Sequence, residues 1–242
     1  MQGSARIAFI LFALFPLATS ACRRSRAGAG PEKSAAPVSD KQPASTASAE
    51  LSKAEHKLSV DTTIPQAVLL VVKAQGKNLR RLEGTDDDER PAPAKGVTID
   101  VEKERALSVV RSIRNQVGPS FFVFVSDRNF GIGGRPDNVS LLKTPDPYEA
   151  LRVMGTNGAN YEIDTDQIVK RLQKWDREFG LSLHGVGYDW LEAEFKRQPA
   201  DMLAFAREVY KFCPDVVDQG TNTVEELASE MKRGNILFLW WD

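Results

Sequence analysis

Leu181–Phe195, LSLHGVGYDWLEAEF, decides how the folded part of this chain is read. Leu181 and Leu183 alternate with Ser182 and His184, and Leu191, Ala193 and Phe195 alternate with Glu192 and Glu194. Alternation at period two marks strands with one buried face, so two adjacent strands turn near Gly187-Tyr188-Asp189 as a hairpin. Immediately upstream, Asp164 stands three residues before Gln167, a helix-start signature, and Ile168, Leu172, Trp175 and Phe179 fall on one helical face that Gly180 ends. Downstream, Pro199 opens a helix with Met202, Leu203, Phe205, Ala206, Val209 and Tyr210 on its apolar side. Thr223 and Glu226 begin the next helix. The sequence closes on Ile236-Leu237-Phe238-Leu239-Trp240-Trp241-Asp242, apolar at successive positions and therefore expected to be buried on both faces, inside a sheet.

Toward the N-terminus the pattern is less regular. Ala67–Val72 reads as a short buried strand, residues 83–96 as a surface loop carrying Asp86-Asp87-Asp88-Glu89, and Val97–Val101 as a strand. Leu107, Val110, Ile113 and Val117 give a helix, Phe121–Val125 a strand, and Pro145–Met154 a short helix. The sum is an α+β fold: a mixed, mostly antiparallel sheet flanked by helices, with the C-terminal strand interior to the sheet. We divide it into an N-terminal α/β part, residues 58–144, and a C-terminal α+β domain, residues 145–242.

The first 57 residues do not join a core. Arg6, the apolar run Ile7–Leu17, the small residues Ala18, Thr19, Ser20 and Ala21, and then Cys22 have the layout of an export signal over residues 1–21. The run is about 11 residues, too short to cross roughly 30 Å of hydrocarbon at 1.5 Å per residue. Cys22 directly after Ser20-Ala21 resembles a bacterial lipoprotein signal, which implies lipidation of Cys22 and a membrane anchor in the cell envelope. Thr19 departs from that pattern, which carries Leu there. Plain cleavage after Ala21 would instead release a soluble exported protein. Residues 22–57 are built from Ala, Ser, Pro, Gly, Lys and Glu and cannot bury enough apolar surface to order themselves, so they read as a disordered tether.

Across 242 residues, 32 basic and 33 acidic side chains nearly cancel, which gives no reason to expect nucleic acid as a partner. No phosphate-binding glycine pattern is present, since Gly131, Gly133 and Gly134 lack the following Lys-Ser/Thr, and no cofactor is expected. Nor does any metal-ligand spacing occur. The two histidines are His56, in the tether, and His184.

Four ordered blocks carry the remaining signal: Thr156-Asn157-Gly158-Ala159-Asn160-Tyr161, Gly187-Tyr188-Asp189-Trp190, Phe212-Cys213-Pro214-Asp215-Val216-Val217-Asp218-Gln219-Gly220, and the terminal Leu237–Asp242. They resemble the bacterial family catalogued as domain of unknown function 4253, over roughly residues 140–242. That resemblance implies domain membership and no particular chemistry; its other members look intracellular, so the export signal is a departure.

Read physically, the blocks set carboxylates beside indoles. Asp189, Trp190, Cys213, Asp215, Asp218, Trp240, Trp241 and Asp242 form the candidate binding cluster, with Asp215 and Asp218 equally suited to capping backbone N–H groups. Trp240 and Trp241 cannot face the same way in a strand, so one belongs to the core and one to a surface. Two functions fit. The first is a non-enzymatic module on a lipid anchor and tether, recognising a protein or peptide through an acidic and aromatic surface. The second is a hydrolase or thiol-dependent enzyme using Cys213, with or without His184, or the four aspartates.

Overall fold

A computed structural model describes residues 50–86, 90–130 and 134–242. Residues 1–49, on which the expected export signal, Cys22 and most of the expected tether fall, lie outside the described residues, as do Asp87–Glu89 and Gly131–Gly133. Ala49–Asp242 is one compact unit. Its helices are α1 (Lys53–Thr62), α2 (Gln66–Lys73), α3 (Ala106–Val117), α4 (Glu149–Met154), α5 (Thr165–Phe179), α6 (Met202–Phe212) and α7 (Val224–Gly234). Its strands are β1 (Lys77–Thr85), β2 (Pro91–Val101), β3 (Phe122–Asp127), β4 (Asp137–Leu142), β5 (Leu181–Val186), β6 (Trp190–Phe195) and β7 (Ile236–Trp240).

The strands form one mixed sheet in the order β1-β2-β4-β3-β5-β6-β7. Every pairing is antiparallel except β3 with β5, which meet in parallel at Val125 and Gly185. The sheet therefore runs straight through the boundary drawn at residue 144. The parallel seam is braced by Arg114 of α3, whose guanidinium donates to the carbonyls of Val123 (2.6 Å) on β3 and Leu183 (2.5 Å) on β5. Burial pulls this guanidinium down to about 10, and the Phe122 ring lies 4.9 Å from it.

Each face of the sheet has its own core. One, under α4–α7, is built around Phe124, Leu172, Trp175, Leu191 and Leu237; the other, under α1–α3, around Ile64, Leu69, Val97, Ile99 and Ile113. The helix boundaries follow local chemistry. Asp164 and Gln167 exchange the two bonds of a capping box at 2.7 Å each, and Gly180, at φ +66°, stops α5 just before β5.

Four expectations need correction. Ala67–Val72 is helical: Pro65 starts α2, and Leu69 and Val72, three apart, turn inward, whereas a six-residue apolar run alone does not distinguish strand from buried helix. Of residues 83–96, read as a loop, 83–85 end β1 and 91–96 begin β2. Pro91 and Pro93 are accommodated there because β4 reaches only as far as Gly96, so that stretch of β2 has no strand on its other side. The C-terminal strand is not interior: β7 ends the strand order. Its apolar character comes from its two faces, Leu237 and Leu239 entering one core while Phe238 and Trp240 pack against the other. Finally, Lys53–Lys57, read as the end of the tether, belong to α1, which Ser52 and Glu55 cap reciprocally.

Candidate functional site

Since β3 and β5 are parallel and β7 is antiparallel to β6, strands β3, β5 and β7 all finish at the same end of the sheet, here the upper end. The β5–β6 turn, the turn after α6, the 157–163 segment and the last residues of the chain meet there. Most of the candidate cluster converges at this end. Trp241 N–H donates to the Asp189 carbonyl at 2.9 Å, and Asp242 N–H donates to Asp215 Oδ2 at 2.9 Å. The Cys213 thiol donates to the Trp240 carbonyl at 2.9 Å, and the Asn160 amide donates to the Asp242 carbonyl.

Asp215, only 3% exposed, is the knot. Besides Asp242 N–H it accepts the Tyr161 hydroxyl at 2.6 Å and the Gln219 amide at 3.0 Å. Its hydrogen bond, then burial, pushes the Tyr161 phenol up to about 12. Pro214 lets the chain leave α6 and enter the π-helical turn Val216–Thr221, which carries Gln219 round to face Asp215. Asp215 makes no cap bond to its own turn; the one backbone N–H it accepts is that of Asp242, at the end of β7. Asp218 points outward from the same turn and accepts the Tyr210 hydroxyl at 2.8 Å.

Asp189 behaves differently. It is half-buried, and that burial pushes its carboxyl above the usual carboxylate range; its own N–H and the Trp240 indole pull the other way, while Asp242 adds a repulsion. Asp242 is exposed, and Tyr161 and Tyr188 stand beside these carboxylates 37% and 40% exposed. None of Asp189, Asp215, Asp218 and Asp242 forms an ion pair with the described residues. Among the described residues no group of three His, Cys, Asp or Glu side chains is placed to hold a metal ion.

The three indoles do not share a floor. Trp241 is 2% exposed and packs in the core against Phe212, its ring so close to Gly158 that a Cβ there would lie 2.7 Å from it. Trp240 is half-buried toward the opposite face, with its indole on Asp189. Trp190 lies wholly on that opposite face, across Gly185 and Gly187, where a Cβ on Gly187 would come within 2.0 Å of the ring nitrogen. Cys213 is fully buried, and burial pushes its thiol up to about 12. No thiolate–imidazole couple forms, because His184 sits on the other side of the sheet.

That other side holds a polar group that sequence reasoning missed. Leu183 pairs with Ala193 and Gly185 with Glu192, so His184 is the extra residue of a β-bulge, and its Nε2 lies 2.7 Å from Glu192 Oε1. Its Nδ1 lies 3.2 Å from the Ser182 carbonyl. Arg128, just past β3, donates to Glu192 Oε2 and lies 5.4 Å over the Trp190 ring. Burial disfavours the Glu192 carboxylate, but His184 and Arg128 outweigh it and hold it below its usual range. With both ring nitrogens engaged, His184 is a structural residue. Glu192 facing His184 across the predicted hairpin was the signal that could have revealed this pair; Arg128, more than 50 residues upstream, left none.

Residues 138–242, from β4 to the end of the sequence, match the family model described as Domain of unknown function (DUF4253). No curated protein and no solved structure matches the chain.

Proposed function

We propose that this chain is an exported, lipid-anchored, non-enzymatic binding module that recognises a basic segment of a protein or peptide at the upper end of its sheet. One observation carries the reading: Asp189, Asp218 and Asp242 share that end with no ion-pair partner among the described residues, and Asp189 and Asp242 are close enough to repel. A Lys or Arg side chain entering between them replaces that repulsion with attraction, and exposed Tyr161 and Tyr188 offer ring faces to the same cation. Positioning is supplied by the fold: Asp215 fastens Asp242 to the turn after α6 and Trp241 N–H bonds the Asp189 carbonyl, so Asp189 and Asp242 are arranged before any partner arrives. The buried, protonated Cys213 and the fully engaged His184 support binding over thiol or imidazole catalysis. Cys22 as a lipid-bearing residue would tie the module to a membrane, and a tether of about 30 residues would give it a reach of roughly 30 Å.

The test is fluorescence anisotropy with a labelled decapeptide alternating lysine and valine. Binding should weaken at least tenfold in Asp242→Asn, whereas unchanged binding there would refute the reading. Retention of radiolabelled palmitate by the full chain, lost in Cys22→Ala, tests the anchor separately.

A further inference from the structure

We infer that the partner recognised by the acidic upper end is the basic lower end of a second copy of this chain, giving head-to-tail association. This rests on the reading above and names its partner. The lower end is where β5 and β7 begin and β6 finishes. Helices α5 and α7 terminate there, each a residue or two before the strand that follows. Cations gather accordingly: Arg177 in the last turn of α5, Lys232 and Arg233 in the last turn of α7, and Lys196 and Arg197 just after β6. Positive side chains complement the partial negative charge of helix C-termini, which is the local reason for their placement.

They converge through bonds that the backbone dictates. Lys196 N–H donates to the Gly180 carbonyl at 2.7 Å, Arg197 to the carbonyls of Phe179 (2.9 Å) and Glu178 (2.9 Å), and Gln198 to the carbonyl of Lys232 at 2.9 Å. Among the described residues the one ion pair these five cations make is Arg233 with Glu230, at the limiting distance of 4.0 Å. The upper end mirrors this. Glu225 and Glu226 lie in the first turn of α7, adding to Asp189, Asp218 and Asp242, while Asp166 in the first turn of α5 is paired with Arg152 at 3.7 Å.

One sheet thus carries mostly negative charge where β5 and β7 finish, with Lys211 and Arg152 the cations there, and mostly positive charge where they start, with Glu178, Asp201 and Glu230 the acids there. Stacking copies along the strand direction sets Lys196, Arg197, Lys232 and Arg233 of one against the upper end of the next. Such a contact uses two different patches, so it does not close on itself and can propagate. It is also salt-sensitive, since exposed charges more than about 10 Å apart are largely screened at 0.1 M salt.

Sedimentation velocity of the full chain tests this at about 0.01 M and about 1 M salt. Concentration-dependent species larger than a monomer should form at low salt and revert to monomer at high salt. Lys232→Glu/Arg233→Glu and Asp218→Lys/Asp242→Lys should each be monomeric, and an equimolar mixture of the two should recover the larger species. That recovery excludes misfolding as the cause of either loss. A chain monomeric at low salt, assembly indifferent to salt, or a mixture that stays monomeric would overturn the inference. If the chain is monomeric yet binds the lysine–valine peptide through Asp242, self-recognition fails and the acidic binding surface stands; if the peptide does not bind either, both fail.

Discussion

The carboxylate of Asp215 accepts the backbone N–H of Asp242 at 2.9 Å and so fastens the end of β7 to the turn that follows α6. Two more donors, Tyr161 and Gln219, converge on the same carboxylate from a different segment and from the turn itself. Replacing Asp215 by Ala strands all three in a nearly buried site. A loss on the order of 3 kcal/mol is expected, since hydrogen bonds to a charged group contribute about 1.5–3 kcal/mol each and part is recovered by water. Urea denaturation checks the magnitude. Hydrogen exchange checks the mechanism, with the amides of Trp241 and Asp242 losing protection ahead of those of β3.

Trp190 lies against the backbone of Gly185 and Gly187 because neither has a side chain. Gly187→Ala would place a methyl 2.0 Å from the ring nitrogen and within 2.7 Å of two ring carbons, so Trp190 must leave its seat. Overpacking of this kind costs about 1–3 kcal/mol or more. Arg128 loses its ring contact with it. A red-shifted tryptophan emission together with lowered stability is the expected outcome. Gly134→Ala, which meets nothing within 4 Å, is the neutral control.

Arg128→Met leaves Glu192 buried with His184 as its remaining partner. Removing one member of a buried pair costs about 3 kcal/mol. The sign of the pH effect follows from the carboxyl. Glu192 is held below its unfolded value, so its stabilising contribution is present above about 4.3 and is lost as pH falls through the lower folded value. Thermal melts across acid pH should show wild type losing stability where Glu192→Gln, already destabilised, changes less.

Asp189 has the opposite sign. Its folded pKa lies above the unfolded one, so the stability linked to it is whole below about 3.9 and declines as pH rises through the folded value. Asp189→Asn should therefore melt a few degrees higher than wild type at neutral pH and lose that advantage in acid. Retained or lowered stability at neutral pH would show that the Trp240 contact outweighs the burial of the carboxylate and the repulsion from Asp242.

Cys213 should be inert toward a thiol reagent in the folded protein at neutral pH and react at once in denaturant, because burial leaves almost no thiolate. Cys22, in the unlipidated full chain, is the second thiol in the same assay, so the count is made on Cys22→Ala. Rapid labelling of folded Cys22→Ala would return the thiol-dependent alternative to consideration.

The C-terminal half was legible because its signals are local. The Asp164–Gln167 cap, the Leu181–Phe195 alternation and the Thr223 start of α7 each act within a few residues, and each appears where the sequence placed it. What failed was non-local. Ala67–Val72 is apolar enough for either element, and only its packing against α3 decides for helix. β4 was hidden in Asn138-Val139-Ser140, whose alternation is too short to stand out. The position of β7 at the end of the strand order is a property of the whole sheet. In the site, the pattern brought Asp189, Cys213, Asp215, Trp240, Trp241 and Asp242 into view together. It did not separate Trp190, which the hairpin turn sends to the other face, nor assign Tyr161 and Gln219 as the donors that make Asp215 a structural knot rather than a free acid.

The measurement that bears most directly on the account is a carboxyl-detected NMR titration of Asp189, with and without the lysine–valine decapeptide. The account predicts a pKa above the ordinary carboxylate range in the free chain that falls on addition of the peptide, as a cation replaces the repulsion from Asp242. A value that stays where it was at saturating peptide would contradict it.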